Sequence, residues 1–157
     1  MLKNKRREFA EAIGLITIVA SLLFLAFEIQ QSNRIAIAAT EIGIRNGYSE
    51  FNRAIYTESD VAELLSRARE PDVAWSSTEE LKVLMAVSDV TNVWFSVETA
   101  CANNLAHAAT CAELGDDIRG FIAYFPGVRE SLRFILENYP SQAGTRVHST
   151  IRQAIED

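Results

Sequence analysis

The spacing of apolar positions changes twice along this chain, and each change marks a different kind of helix. Residues 12–27, AIGLITIVASLLFLAF, form an unbroken apolar run whose only polar side chains, Thr17 and Ser21, can bond back to carbonyls of their own helix. A run of that kind is of membrane grade. Its 16 residues, at about 1.5 Å each, reach roughly 24 Å against a hydrocarbon core of about 30 Å, so Phe9, Ala10 and Ile29 must extend it. Glu11 and Glu28 then reach toward headgroups. The predicted anchor positions are Ile13, Leu15, Ile16, Ile18, Val19, Leu22, Leu23, Phe24, Leu25 and Phe27, with Gly14, Ala20 and Ala26 as small positions suited to helix packing.

Residues 28–34 are polar on nearly every side, and an apolar stripe then returns at Ile37, Ile44, Tyr48, Phe51 and Ile55, in steps of seven, four, three and four. No proline or glycine falls between Leu15 and Ile42, so one helix is expected from about residue 6 to about residue 56, with Gly43 and Gly47 as the places to bend. With Ile35 and Ile42 the stripe makes a broad apolar surface that must be covered, and burying four of these side chains contributes roughly 6 to 12 kcal/mol before entropy costs, which predicts that it packs along the third helix.

The remaining pattern gives five further helices. Residues 60–70 carry Val61, Leu64, Leu65 and Ala68 on one face and end before Pro71; Ser77 and Glu80 have capping-box spacing for the third helix. That helix has two stripes, one of Leu81, Leu84, Met85 and Ser88 and one of Val83, Val87, Val90, Trp94, Val97 and Cys101, and is therefore expected to be covered on several sides. Asn103-Asn104 should stop it. A fourth helix over residues 110–124, a fifth over 128–138 stopped by Pro140, and a last amphipathic turn or two with Val147, Ile151 and Ile155 complete an all-α fold. The expected domains are 1–34, the basic start, transmembrane helix and polar collar, and 35–157, a helical extracytoplasmic domain.

Charge sets the topology. Lys3, Lys5, Arg6 and Arg7 precede the span, and only Arg34 and Arg45 follow it closely, which holds the amino terminus in the cytoplasm by the positive-inside rule. The domain is then periplasmic, on a bacterial inner membrane. A cleavable signal peptide is the rival reading, because Ala36-Ile37-Ala38 mimics a cleavage site, but the polar stretch places that site unusually far from the apolar run. Beyond Phe27 there are 11 Lys plus Arg against 19 Asp plus Glu, a balance that repels nucleic acid. With 48% hydrophobic and 23% charged residues the composition is globular rather than disordered.

Candidate chemistry is sparse. Cys101, His107 and Cys111 are the one cluster of soft ligands, but a structural zinc site needs a fourth ligand and tighter cysteine pairs, so no metal and no cofactor are expected. Two thiols in the periplasm form a disulfide, although on one continuous helix Cys101 and Cys111 would stand about 15 Å apart. Either the chain reverses between them or they remain free buried thiols. Asp116-Asp117 and Glu79-Glu80 point to different sides of a helix and make no acid–base pair, and His148 has no predicted partner. Phe121, Tyr124 and Phe125 lie at three-to-four spacing with Ile118, a face suited to core or to a partner.

Three segments carry a resemblance. Ile13-Gly14-Leu15-Ile16-Thr17-Ile18-Val19-Ala20-Ser21-Leu22, Glu28-Ile29-Gln30-Gln31-Ser32-Asn33 and Phe125-Pro126-Gly127-Val128-Arg129 resemble a family of uncharacterised bacterial single-pass membrane proteins. Such proteins have an apolar span closed by an acidic-apolar-polar-Gln-polar turn, then a few helices with a Pro-Gly-x-Arg junction. This chain has fewer tryptophans after the junction than that pattern. The resemblance implies an amino-terminal anchor and a small helical domain, and no activity.

These features predict a non-enzymatic, membrane-anchored accessory or scaffolding subunit. Its expected partners are the lipid bilayer and an integral membrane protein complex or a second copy of itself, and not nucleic acid. The alternative is a periplasmic sensor or small-ligand-binding module, which requires an apolar cavity of at least about 300 Å³ between the third, fourth and fifth helices.

Overall fold

The computed structural model describes residues 2–139 and 142–157, with side chains from residue 11 onward and that of Phe9. The side chains of Lys3, Lys5, Arg6 and Arg7 and the expected stop at Pro140 lie outside the described residues. Among those described, the fold is all-α: 86% helical, without strands, in six α-helices. They are α1 (Leu2–Thr57), α2 (Ser59–Arg67), α3 (Ser77–Ala102), α4 (Ala108–Tyr124), α5 (Arg129–Asn138) and α6 (Arg146–Glu156), with a 3-10 turn at Pro126–Val128. The chain divides into two compact units, Met1–Ala38 and Ala39–Asp157.

In the first unit the apolar side chains from Ile13 to Ile29 are all exposed, and the Thr17 and Ser21 hydroxyls donate to the carbonyls of Ile13 and Thr17. This is the one helix among the described residues that is long and apolar enough to cross a membrane. Helix α1 continues through Gly43 and Gly47 without interruption, so neither glycine ends or breaks it. Gly47 has a packing reason instead, since a Cβ there would stand 3.0 Å from a methyl of Val93 on α3.

The second unit is built on one stripe of α3. Val83, Val87, Val90, Trp94 and Val97 are buried, together with Ile118 and Ile122 of α4, Leu132 of α5 and Ile151 of α6. From α1, Ile44 is buried with Tyr48 and Phe51 packed beside it, while Ile42 is exposed. The second α3 stripe departs from expectation: Leu81 and Met85 are 58% and 57% exposed, and Leu84 and Ser88 are half-buried. Leu81 and Leu84 of this end of α3 line an opening together with Phe134 of α5.

Helix ends show how neighbouring segments choose among local options. The capping box at the start of α3 uses Ser76 and Glu79, one residue before the expected pair. Both pairs have the same spacing, and Arg67 of α2, which ion-pairs with Glu79, favours the earlier one. The Ser76 N–H, the Ser76 hydroxyl and Arg67 together hold the Glu79 carboxyl down at about 2. Because its folded value lies below its ordinary value, Glu79 adds stability above about pH 4.5, and that stability is lost as the pH falls toward about 2. Thermal melts across this range should therefore fall more steeply for the wild type than for Glu79→Gln. At the far end of α3, Asn103 caps the helix and Asn104 takes the left-handed conformation at φ 57°, which turns the chain toward α4.

Candidate functional site

The reversal at Asn103-Asn104 brings Cys101 and Cys111 to a Cα–Cα distance of 5.7 Å, where they are joined by a disulfide. Both sulfurs are thereby taken out of any metal corner with His107. Among the described residues, no group of three His, Cys, Asp or Glu side chains is placed to hold a metal ion. Closing a loop ten residues apart restricts the unfolded chain, so replacing both cysteines by serine should cost about 2 to 3 kcal/mol. Denaturant unfolding of the double variant, and of the wild type with and without reductant, measures it.

Beside the disulfide, Glu41 of α1 holds the start of α4. Its carboxylate accepts the His107 N–H at 2.8 Å and the Thr110 hydroxyl at 3.0 Å, where the helix presents unpaired donors and a positive dipole end. The His107 N–H bond, opposed by partial desolvation, keeps the Glu41 carboxyl below the usual carboxylate range. About two turns further along α1, the Tyr48 hydroxyl donates to Asp117 of α4 at 3.3 Å. Burial and the neighbouring carboxylate push that hydroxyl above its ordinary range. Glu98 of α3 does the same service for α6, accepting the Arg146 and Val147 N–H groups at 2.6 and 2.8 Å.

The aromatic positions separate. Phe121 is half-buried, edge-on to Trp94 at 5.5 Å and to Phe51 at 6.1 Å, so it ties α1, α3 and α4 together. Phe125 stacks at a tilt on Phe121 and meets Tyr124 edge-on. Tyr124 is exposed, with the Arg69 guanidinium over its ring at 4.6 Å. Gly14 and Ala20 are exposed on the apolar helix, and nothing lies within 4 Å of a Cβ built at Gly14.

No family model, no curated protein and no solved structure matches this chain. Its own geometry carries the argument.

The space between α3, α4 and α5, where the ligand-binding alternative requires an apolar cavity, holds the buried side chains of Trp94, Ile118, Ile122 and Leu132. An open cleft of about 410 Å³ lies instead between the amino-terminal half of α3 and α5. Trp75, Leu81, Leu84 and Phe134 line its apolar part, and Glu80, Glu130, Arg133 and Glu137 its rim. Sequence reasoning missed it because Leu81 falls in an apolar stripe of α3 that the period expects to be covered. The cluster of Glu80, Glu130 and Glu137 was the available signal, but only the packing of α5 on α3 puts them around one opening.

The Pro-Gly junction forms the other feature of this region. Gly127 donates its N–H to the Ala68 carbonyl at 2.8 Å, and the Trp75 indole N–H donates to the Gly127 carbonyl at 3.4 Å. The turn after α4 is thus fastened to the segment after α2, and Trp75, which the Arg67 guanidinium covers at 4.9 Å, is fixed at the edge of the cleft.

Proposed function

We propose that this protein is a non-enzymatic accessory or scaffolding subunit, anchored in a bacterial inner membrane by residues 12–27 and associated with a larger membrane assembly or with itself. The observation that carries the reading is the sustained exposure of apolar side chains along α1 from Ile13 to Ile29, which water does not tolerate and a bilayer does. The polar stretch of residues 28–34 sets Ala36-Ile37-Ala38 unusually far from the apolar run, which favours a retained anchor over a signal peptide. The basic cluster at Lys3, Lys5, Arg6 and Arg7 orients the amino terminus to the cytoplasm. A disulfide in the second unit fits an oxidising compartment on the other side. Within that unit, Glu41, Glu79 and Glu98 are engaged at helix ends, which is a structural use of polar groups rather than a catalytic one.

Isolation of the native protein in mild detergent tests the reading. It should migrate in a complex larger than one chain and its micelle. Migration as a monomer at every concentration contradicts it.

A further inference from the structure

We propose that the cleft between α3 and α5 docks a basic amphipathic segment of a partner protein, one that carries Lys or Arg beside Leu or Phe side chains. The inference rests on the reading of the chain as an interaction subunit and names the chemistry of what it holds. Three observations support it. Leu81 and Phe134, each more than half exposed, line one opening with half-buried Leu84 and Trp75, so apolar side chains from two helices face water around it. Ser131, at 9% exposure, lines the same cleft as a polar side chain. The rim is acidic: Arg133 ion-pairs with Glu130, and Glu80 and Glu137 form no ion pair among the described residues.

Charge complementarity selects the occupant. An apolar floor with surplus carboxylates at its edge suits the helix-in-groove mode, in which apolar side chains at successive turns enter the groove and flanking cations meet the rim. A second copy of this domain is disfavoured, because beyond Phe27 the chain carries 19 acidic against 11 basic residues. The basic cluster of this chain, at Lys3 to Arg7, lies across the bilayer in the proposed topology.

The test uses the full chain in phosphatidylcholine nanodiscs, with empty nanodiscs as the reference surface. The probe is a synthetic Leu/Lys amphipathic peptide of about 14 residues, near four helical turns, beside a Leu/Glu counterpart. Surface plasmon resonance should show the Leu/Lys peptide binding above the reference, more weakly as salt is raised, and the Leu/Glu peptide not binding. Affinity should fall about tenfold or more in Leu81→Ser/Phe134→Ser, and also in Glu80→Gln/Glu137→Gln. All four side chains are exposed, and unchanged melting temperatures would confirm that the variants fold. Equal binding to wild type and to both variants overturns the proposal, as does no binding up to about 1 mM. The native complex separates this inference from the reading beneath it: a complex that survives Leu81→Ser/Phe134→Ser intact removes the cleft alone, whereas no complex with the wild type removes the scaffold.

Discussion

Gly127→Ala is expected to destabilise the second unit by about 3 kcal/mol, lowering its melting temperature by roughly 10 to 20 °C. A Cβ at this position would stand 2.7 Å from the Glu70 carbonyl oxygen, 2.7 Å from a Val73 methyl and 3.0 Å from the Ala68 carbonyl oxygen. Two of those atoms are backbone, held by the hydrogen bond from Gly127 to Ala68, so the clash can be relieved only by parting the turn after α4 from the segment after α2. Trp75 would lose its bond to the Gly127 carbonyl in the same movement. Gly120→Ala is the control. No atom lies within 4 Å of a Cβ there, it falls inside α4, and alanine should stabilise the helix by about 0.5 to 1 kcal/mol. Thermal denaturation of the two variants should thus move in opposite directions.

Gly127 illustrates what local sequence supplies and what it withholds. The Phe125-Pro126-Gly127 string marks a turn, because proline cannot continue α4, and the turn is there. That the glycine is required by two carbonyls more than fifty residues earlier depends on how α2 and α4 come together, which no local pattern records. The same division runs through the fold. The long first helix, the stop at Asn103-Asn104 and the five later helices were legible from period and from helix-ending residues. The start of α3 was misplaced by one residue because Ser76 and Ser77 each have a glutamate three positions on, and the choice between them lies with Arg67 of another helix. Nothing in the local pattern marks Glu41 or Glu98, yet each caps a helix 48 or more residues away. Leu81 lies in a periodic apolar stripe, and only the packing of α5 on α3 shows that it is left exposed beside a cleft.

Ile44→Asp is expected to have the second large effect, about 4 kcal/mol or more, a substantial part of the total stability of a domain this size. Ile44 is 7% exposed and belongs to the core of the second unit with Trp94, Ile118 and Ile122. Aspartate removes most of that apolar contact and leaves a carboxylate in a site where no cation is provided. Adjacent contacts should fail with it, since Gly47 against Val93, Tyr48 to Asp117 and Phe51 against Phe121 all lie within two turns on the same face of α1. Gln31→Asp, on an exposed position of the polar collar, should leave stability unchanged. Limited proteolysis of the membrane-bound protein distinguishes them: rapid digestion is expected for Ile44→Asp and wild-type resistance for Gln31→Asp. Equal resistance of all three proteins would mean that this face of α1 is not part of the core.

In the proposed reading a retained apolar helix anchors a domain that matures in an oxidising compartment. Intact-mass spectrometry of the protein recovered from carbonate-washed membranes tests both halves at once. The predicted result is a species that keeps residues 12–27, near the 17.5 kDa of the full chain, and that gains two hydrogens on reduction as Cys101 and Cys111 are released. A soluble species beginning at Ala39, or cysteines that alkylate without reduction, would contradict it.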